Sequence, residues 1–255
     1  MRYIRLLIEY AGTNYHGWQS QKSGGTIQDV LYDSLFSITG EQGKVIGASR
    51  TDAGVHALGQ VAVFETRSQL SPPVFMRALN AKLPPDIRIL AADETDRDFH
   101  PRYRAIHKSY FYLISNTARR SAFLSSYMWT TGAALDLARM REAAAFVLGQ
   151  HDFSSFRASG CGAKTTTRTV SFLEIARSEE ISFMTAIFEG NFIRISIEAN
   201  AFLRHMVRNI VGTLVEVGRG KLSPESFRDI LSSCDRTAAG PTAPAQGLFL
   251  DKITY

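Results

Sequence analysis

The sequence predicts an α+β fold of two parts with mainly antiparallel strands. Short runs of alternating apolar and polar residues recur along the chain, which is the pattern of half-buried strands. Helical stripes separate some of these runs but not others, so hairpins and helices both connect strands, and a doubly wound parallel sheet is disfavoured. A polar, charge-switching stretch, residues 91–105 (AADETDRDFHPRYRA), divides the chain and suits a domain seam.

The elements follow in order. Ile4, Leu6, Ile8 and Tyr10 alternate as a strand, and the glycine-studded AGTNYHGWQSQKSGG after them reads as a long polar loop. Thr26 followed three residues later by Asp29 is a helix-start signal, with Ile27, Val30, Leu31 and Leu35 as the apolar stripe. Lys44 to Ile46 and Val61 to Phe64 are strand-like. A second helix starts at Ser71-Pro-Pro and stops at Pro84-Pro85, before a strand over Ile87 to Leu90. The first hundred residues thus read β-α-β-α-β. A strand is expected over Ala105 to Ser115 and a helix from about Leu135 that Gly149 ends, followed by strands near Val170–Ala176, Phe183–Phe188 and Phe192–Ala199. The clearest helix runs from Phe202 to Val217, with Leu203, Met206, Val207, Ile210, Val211, Leu214 and Val215 on one stripe. A further helix and a last strand complete the chain. We divide it into an N-terminal α/β part, 1–103, and a C-terminal α/β part, 104–255.

The 255 residues are 45% hydrophobic, ample for a packed core, and the net charge is +5 without a long Lys/Arg run. Scattered cations gathered by folding favour a polyanionic partner. Cys161 and Cys234 form no CxxC pair, and the six histidines show no zinc spacing with them. A reduced, metal-free cytoplasmic protein is the simplest expectation. The first residues, MRYIRLLIEY, interrupt their apolar run with Arg5 and Glu9, and no run approaches the ~20 apolar residues of a membrane span, so neither secretion nor membrane insertion is expected.

One stretch concentrates chemistry. GASRTDAGVHALGQVAVF, residues 47–64, places Arg50, Asp52 and His56 among glycines between two strands, where loops held by a rigid scaffold carry function. A turn closed by an Asx-type hydrogen bond is the structural alternative for Asp52. Arg204 and Arg208, four apart, project along one edge of the long helix, either snorkelling to solvent or pairing with a buried carboxylate or a phosphate. Asp52 is the natural carboxylate, because a nearby arginine keeps an aspartate ionised where desolvation opposes it. His100 and Arg102 are either linker residues or two cations delivered to a cleft. Tyr110 and Tyr112 share one face of their strand and are either core or a stacking platform for a base. His151-Asp152-Phe153 is a further polar cluster, and the Ser159–Arg168 loop is basic enough to clamp RNA, with spacing that matches no P-loop.

Gly47-Ala-Ser-Arg-Thr-Asp-Ala-Gly-Val-His-Ala57 resembles the signature of the TruA family of tRNA pseudouridine synthases. The resemblance extends through Tyr10–Gln19, Phe99–Arg102, Lys108–Tyr110, His151–Phe156, Phe202–Asn209 and Ala243–Leu248, and so spans the chain. Ser49 stands where the family usually has glycine, and Ala11 where it often has aspartate.

The resemblance implies two RNA-recognition-like (ferredoxin-like) halves around a cleft, a homodimer, no cofactor and no metal. It implies isomerisation of uridines on the 3′ side of the anticodon stem-loop, positions 38, 39 and 40. It makes Asp52 the nucleophile, Tyr110 the ring that stacks on uracil and Arg208 the partner of Asp52. Arg50, His56, Gln60, His100, Arg102, Arg168 and Arg204, with Tyr110, are the expected RNA contacts. A non-catalytic RNA-binding protein is the alternative, and a glycosidase would need a second carboxylate near Asp52 for which no loop acid is an obvious candidate.

Overall fold

The structure is a computed structural model describing residues 1–183 and 185–255. Packing divides the chain into two units, Met1–Ile106 with Phe249–Tyr255, and His107–Leu248. The sequence reading divides at 103/104 and leaves the final strand with the second part. In the structure that strand joins the first unit, because it hydrogen-bonds in parallel to a first-unit strand.

The first unit contains β1 (Arg2–Tyr10), α1 (Ile27–Thr39), β2 (Val45–Gly47), β3 (His56–Thr66), α2 (Pro72–Lys82), β4 (Ile87–Thr95) and β10 (Leu248–Thr254), whose Leu248 belongs to the second unit. Its strands run β4-β1-β3-β10, antiparallel except for β10 on β3, and β2 pairs with the other end of that β3 edge. The alternation in β1 survives folding: Ile4, Leu6 and Ile8 are fully buried and Tyr10 nearly so. Thr26 and Asp29 close a reciprocal capping box on α1, satisfying donors that a helix start leaves open. Phe75 of α2 meets Phe64 of β3 edge-on, centroids 5.3 Å apart, and each such buried side chain contributes about 1.5–3 kcal/mol.

The second unit comprises β5 (His107–Ser115), β6 (Trp129–Thr130), α3 (Leu137–Ala145), β7 (Gly149–Asp152), β8 (Thr167–Phe183), β9 (Ala186–Ala199), α4 (Met206–Gly218) and α5 (Pro224–Ser233). Its strand order is β6-β5-β9-β8-β7, antiparallel apart from β6 on β5. The fold class is therefore α+β with a mostly antiparallel open arrangement.

Two expectations need correction. The three strands expected between Val170 and Ala199 are two long ones, β8 and β9. Gly190 and Asn191 lie inside β9 at a register shift, between the Ser178–Phe192 and Glu180–Glu189 pairs, so the ladder is irregular there but the strand continues. Met184, inside the strand expected over Phe183–Phe188, lies outside the described residues. The long helix begins at Met206 rather than Phe202, because His205 adopts a left-handed conformation, φ 64°, that starts α4 behind a bend.

From there α4 is buried at every position but Arg208. Near its end, Glu216 accepts from Arg219 and Lys221, both at 2.9 Å. Burial pushes the Glu216 carboxyl up, but these two cations outweigh it and hold it below its ordinary range. A depressed carboxyl stabilises the fold above its unfolded pKa and loses that contribution as pH falls through the folded value. Thermal melts from neutral to acid pH should therefore show Glu216→Gln less stable at pH 7, by about 1–2 kcal/mol, and less sensitive to acid. No helix among the described residues is long and apolar enough to cross a membrane.

Candidate active site

Asp52 lies between β2 and β3 on a loop whose neighbours are tied down one by one. Gln60, wholly buried on β3, receives the Ser49 N–H at 3.1 Å and donates to the Ser49 carbonyl at 2.8 Å. Its amide also donates to the Tyr10 hydroxyl at 3.4 Å, and that hydroxyl shares a 2.7 Å hydrogen bond with Thr51 Oγ1. The Thr51 carbonyl accepts from Trp18 N–H at 3.0 Å, and the Asp52 carbonyl accepts from Val55 N–H at 3.1 Å. Ser49, the departure from the family's usual glycine, is thus held through its backbone.

The polar loop after β1 presses on this turn at glycines. A Cβ on Gly12 would lie 2.0 Å from the Val55 carbonyl oxygen, and one on Gly17, at φ +89°, 2.7 Å from that of Thr51. Behind the turn, the buried Trp18 indole occupies the space a Gly47 side chain would need, 2.4 Å away. Tyr15 donates to Asp86 at 2.5 Å, and burial together with this bond pushes its hydroxyl pKa above the ordinary range. The result is a loop with buried supports, a half-buried Asp52 and an exposed Arg50.

His56 and Gln60 serve in those supports. His56 is 1% exposed, accepts the Gly12 N–H through Nδ1 at 3.1 Å and stacks on Phe249 at 4.7 Å. The sequence reading expected both as RNA contacts; in the structure both side chains are buried and hydrogen-bond within the loop supports. His100 and Arg102 lie on a separate turn of the same unit. His100 Nδ1 accepts from Arg102 N–H at 3.2 Å, its ring packs on the exposed Tyr103, and Pro101 O accepts from Tyr255 at 2.9 Å.

In the second unit, Tyr110 of β5 is 6% exposed and meets Phe202 edge-on at 5.1 Å. Its neighbour on the same face, Tyr112, donates to the Pro244 carbonyl at 2.7 Å, and burial pushes its pKa far up against the opposing pull of Arg208. Arg208 and Ala243 hold each other reciprocally. Arg208 Nε donates to Ala243 O at 2.8 Å, and Ala243 N–H donates to Arg208 O at 3.1 Å. Arg204 does not share a helical edge with Arg208: it precedes α4, is exposed, and its carbonyl accepts from Ala158 N–H.

Arg168 is the second residue of β8, opposite His151 of β7, and donates to Thr165 and to the Thr167 carbonyl. The His151-Asp-Phe cluster is a corner: Asp152 accepts from Ser154 N–H, Ser154 Oγ and Thr166 Oγ1, and the Ser154 bond leads in holding its carboxyl low. Among the described residues no three His, Cys, Asp or Glu side chains are grouped to hold a metal.

The sequence reading missed Thr51, Trp18, Asn209 and Arg236 as supports. Thr51, Trp18 and Asn209 lay inside the motif blocks, and Trp18 also stood out as a large apolar residue in a polar loop, whereas Arg236 carried no signal. Chemically, the first unit presents a carboxylate on a rigid turn, and the second an arginine and a tyrosine on fixed backbone.

A family model described as tRNA pseudouridine synthase matches residues 6–104 and 143–255. Relatives named tRNA pseudouridine synthase A from Thermoanaerobacter sp. (strain X514) and Acetivibrio thermocellus are each 46% identical over 255 residues, covering 100% of both chains. The protein of that name from Geobacter sulfurreducens is 44% identical at the same coverage. The matched residues include the Asp52 turn and the Arg208 helix, and this chain belongs to the tRNA pseudouridine synthase family.

Proposed function

We propose that this protein isomerises uridine to pseudouridine in tRNA, on the 3′ side of the anticodon stem-loop at positions 38, 39 and 40, with Asp52 as nucleophile. The observation that carries the reading is the Asp52 turn: Ser49, Thr51 and Val55 around it are held by hydrogen bonds, which suits a preorganised nucleophile, in a chain alignable end to end with relatives of that name. In the reaction the N1–C1′ bond breaks and a C5–C1′ bond forms. The proton at C5 leaves and N1 finishes protonated, so nothing is oxidised and no group departs.

In this reading Asp52 attacks the nucleotide, Tyr110 stacks on the uracil, and Arg208 is the catalytic arginine that the family resemblance gives. Arg50, Arg102, Arg168 and Arg204 contact the RNA backbone, with His100 beside them. A uridine inside a stem must be turned out of its stack to react, and in this reading the exposed Arg50 holds the backbone or fills the gap. The family resemblance supports a homodimer in the cytoplasm and recognition of tRNA shape rather than base sequence.

The test is incubation of the protein with an unmodified tRNA transcript, followed by carbodiimide labelling and primer extension. New stops on the 3′ side of the anticodon stem-loop are expected. Tight tRNA binding without stops would favour the non-catalytic alternative. Arg50→Ala and Arg168→Ala should each weaken tRNA binding and flatten the dependence of log K on log salt by about one unit for each phosphate no longer neutralised. Binding titrations at several salt concentrations check this.

A further inference from the structure

Arg208 does not stand on α4 alone. The segment from Ala239 to Pro244 crosses the helix at Gly212, where a Cβ would lie 1.7 Å from the Pro241 carbonyl oxygen. Backbone therefore touches backbone at that crossing. Arg236 clamps this strap: Nη1 donates to the carbonyls of Ala239 and Gly240 at 3.3 and 3.1 Å, and Nη2 donates to Thr242 Oγ1 at 3.1 Å.

The same Nη2 donates to Oδ1 of Asn209, 3.2 Å away, and Thr242 Oγ1 donates to that oxygen at 2.6 Å. Asn209 is wholly buried, next in sequence to Arg208, and its Nδ2 donates to the Phe156 carbonyl at 2.8 Å. Thr213, one turn on, donates to the Asn209 carbonyl and accepts the Gly240 N–H. At the far end of the strap, Ala243 O receives Arg208 Nε and Pro244 O receives the Tyr112 hydroxyl.

We propose that Arg236, acting with Asn209 and Thr242, is a positioning residue for Arg208. It sets the height of the strap on α4, and the strap sets Ala243 O. That oxygen engages Nε and so fixes the plane in which both Nη groups of Arg208 point. A guanidinium pinned at Nε has given up most of its side-chain freedom before substrate arrives. Because misplacement of about 1 Å costs up to about 100-fold in rate, a residue that never touches substrate governs turnover here. The inference rests on the reading of Arg208 as catalytic.

The experiment is a double-mutant cycle on tRNA pseudouridylation with Arg236→Ala, Arg208→Ala and the pair, each checked by thermal melt and tRNA affinity. Arg236→Ala should lower kcat about 10- to 100-fold and change tRNA affinity less than about twofold. In the Arg208→Ala background, the same substitution should cost almost nothing, because the group it positions is gone. Equal losses in both backgrounds, or full turnover of Arg236→Ala, overturn the inference. Full turnover of Arg208→Ala would instead remove the reading beneath it. If Arg236→Ala does not fold, the cycle is run with Thr242→Val, which takes one donor from Asn209 and keeps the guanidinium, and the same two outcomes decide.

Discussion

Asp52→Ala, and equally Asp52→Asn, is expected to bind unmodified tRNA with affinity close to that of the parent while losing at least about three orders of magnitude in turnover. Asparagine keeps the size and most hydrogen-bonding geometry of the side chain but is not a nucleophile, so it separates chemistry from shape. The fold should tolerate both changes. The turn is held through Ser49, Thr51 and the Asp52 backbone carbonyl, none of which either substitution removes. Single-turnover pseudouridine formation and a tRNA binding isotherm on the same preparations test the claim. Equal loss of binding and turnover in a folded variant would mean that Asp52 organises the RNA site rather than reacting.

Gly212→Ala should have the largest effect on stability. In an ordinary helix interior this change is favourable by about 1 kcal/mol, because alanine restricts the unfolded chain and suits the helix. On α4 the added methyl would lie 1.7 Å from the Pro241 carbonyl oxygen and 2.9 Å from its carbon, which are backbone atoms with no rotamer to yield. The strap must lift. Lifting it strains the Ala243–Arg208 and Gly240–Thr213 hydrogen bonds together, so we expect a net loss of about 2 kcal/mol or more. Turnover should also fall beyond what the reduced stability explains. Denaturant unfolding combined with kcat at a temperature where the variant remains folded tests both halves. A variant as stable as the parent would show that the crossing is looser than its geometry indicates.

Much of the candidate site was legible because its chemistry is local. An aspartate and an arginine among glycines between two strand-like runs marked the Asp52 turn, and ordered motif blocks along the chain carried the resemblance to its family. The burial of His56 and Gln60 has a physical reason. In a half-buried strand, polar residues face water, but β3 is buried along nearly its whole length, so its polar side chains became internal braces. The shared helical edge expected for Arg204 and Arg208 failed for a different reason. Helical spacing assumes helical backbone, and the left-handed His205 between them breaks that assumption.

By itself the sequence determined most of the elements and their order, the α+β class and membership of the family, because apolar period, caps and motifs are read within a few turns or strands of chain. Only the tertiary structure decided that the last strand returns to the first unit, that Gln60 and Tyr10 hold the Asp52 turn, and that the strap from Ala239 to Pro244 sets Arg208. Each of these joins segments far apart in the chain. Hydrogen-bond partners of that kind are chosen by which surfaces meet when apolar area is buried, and no local pattern records the choice.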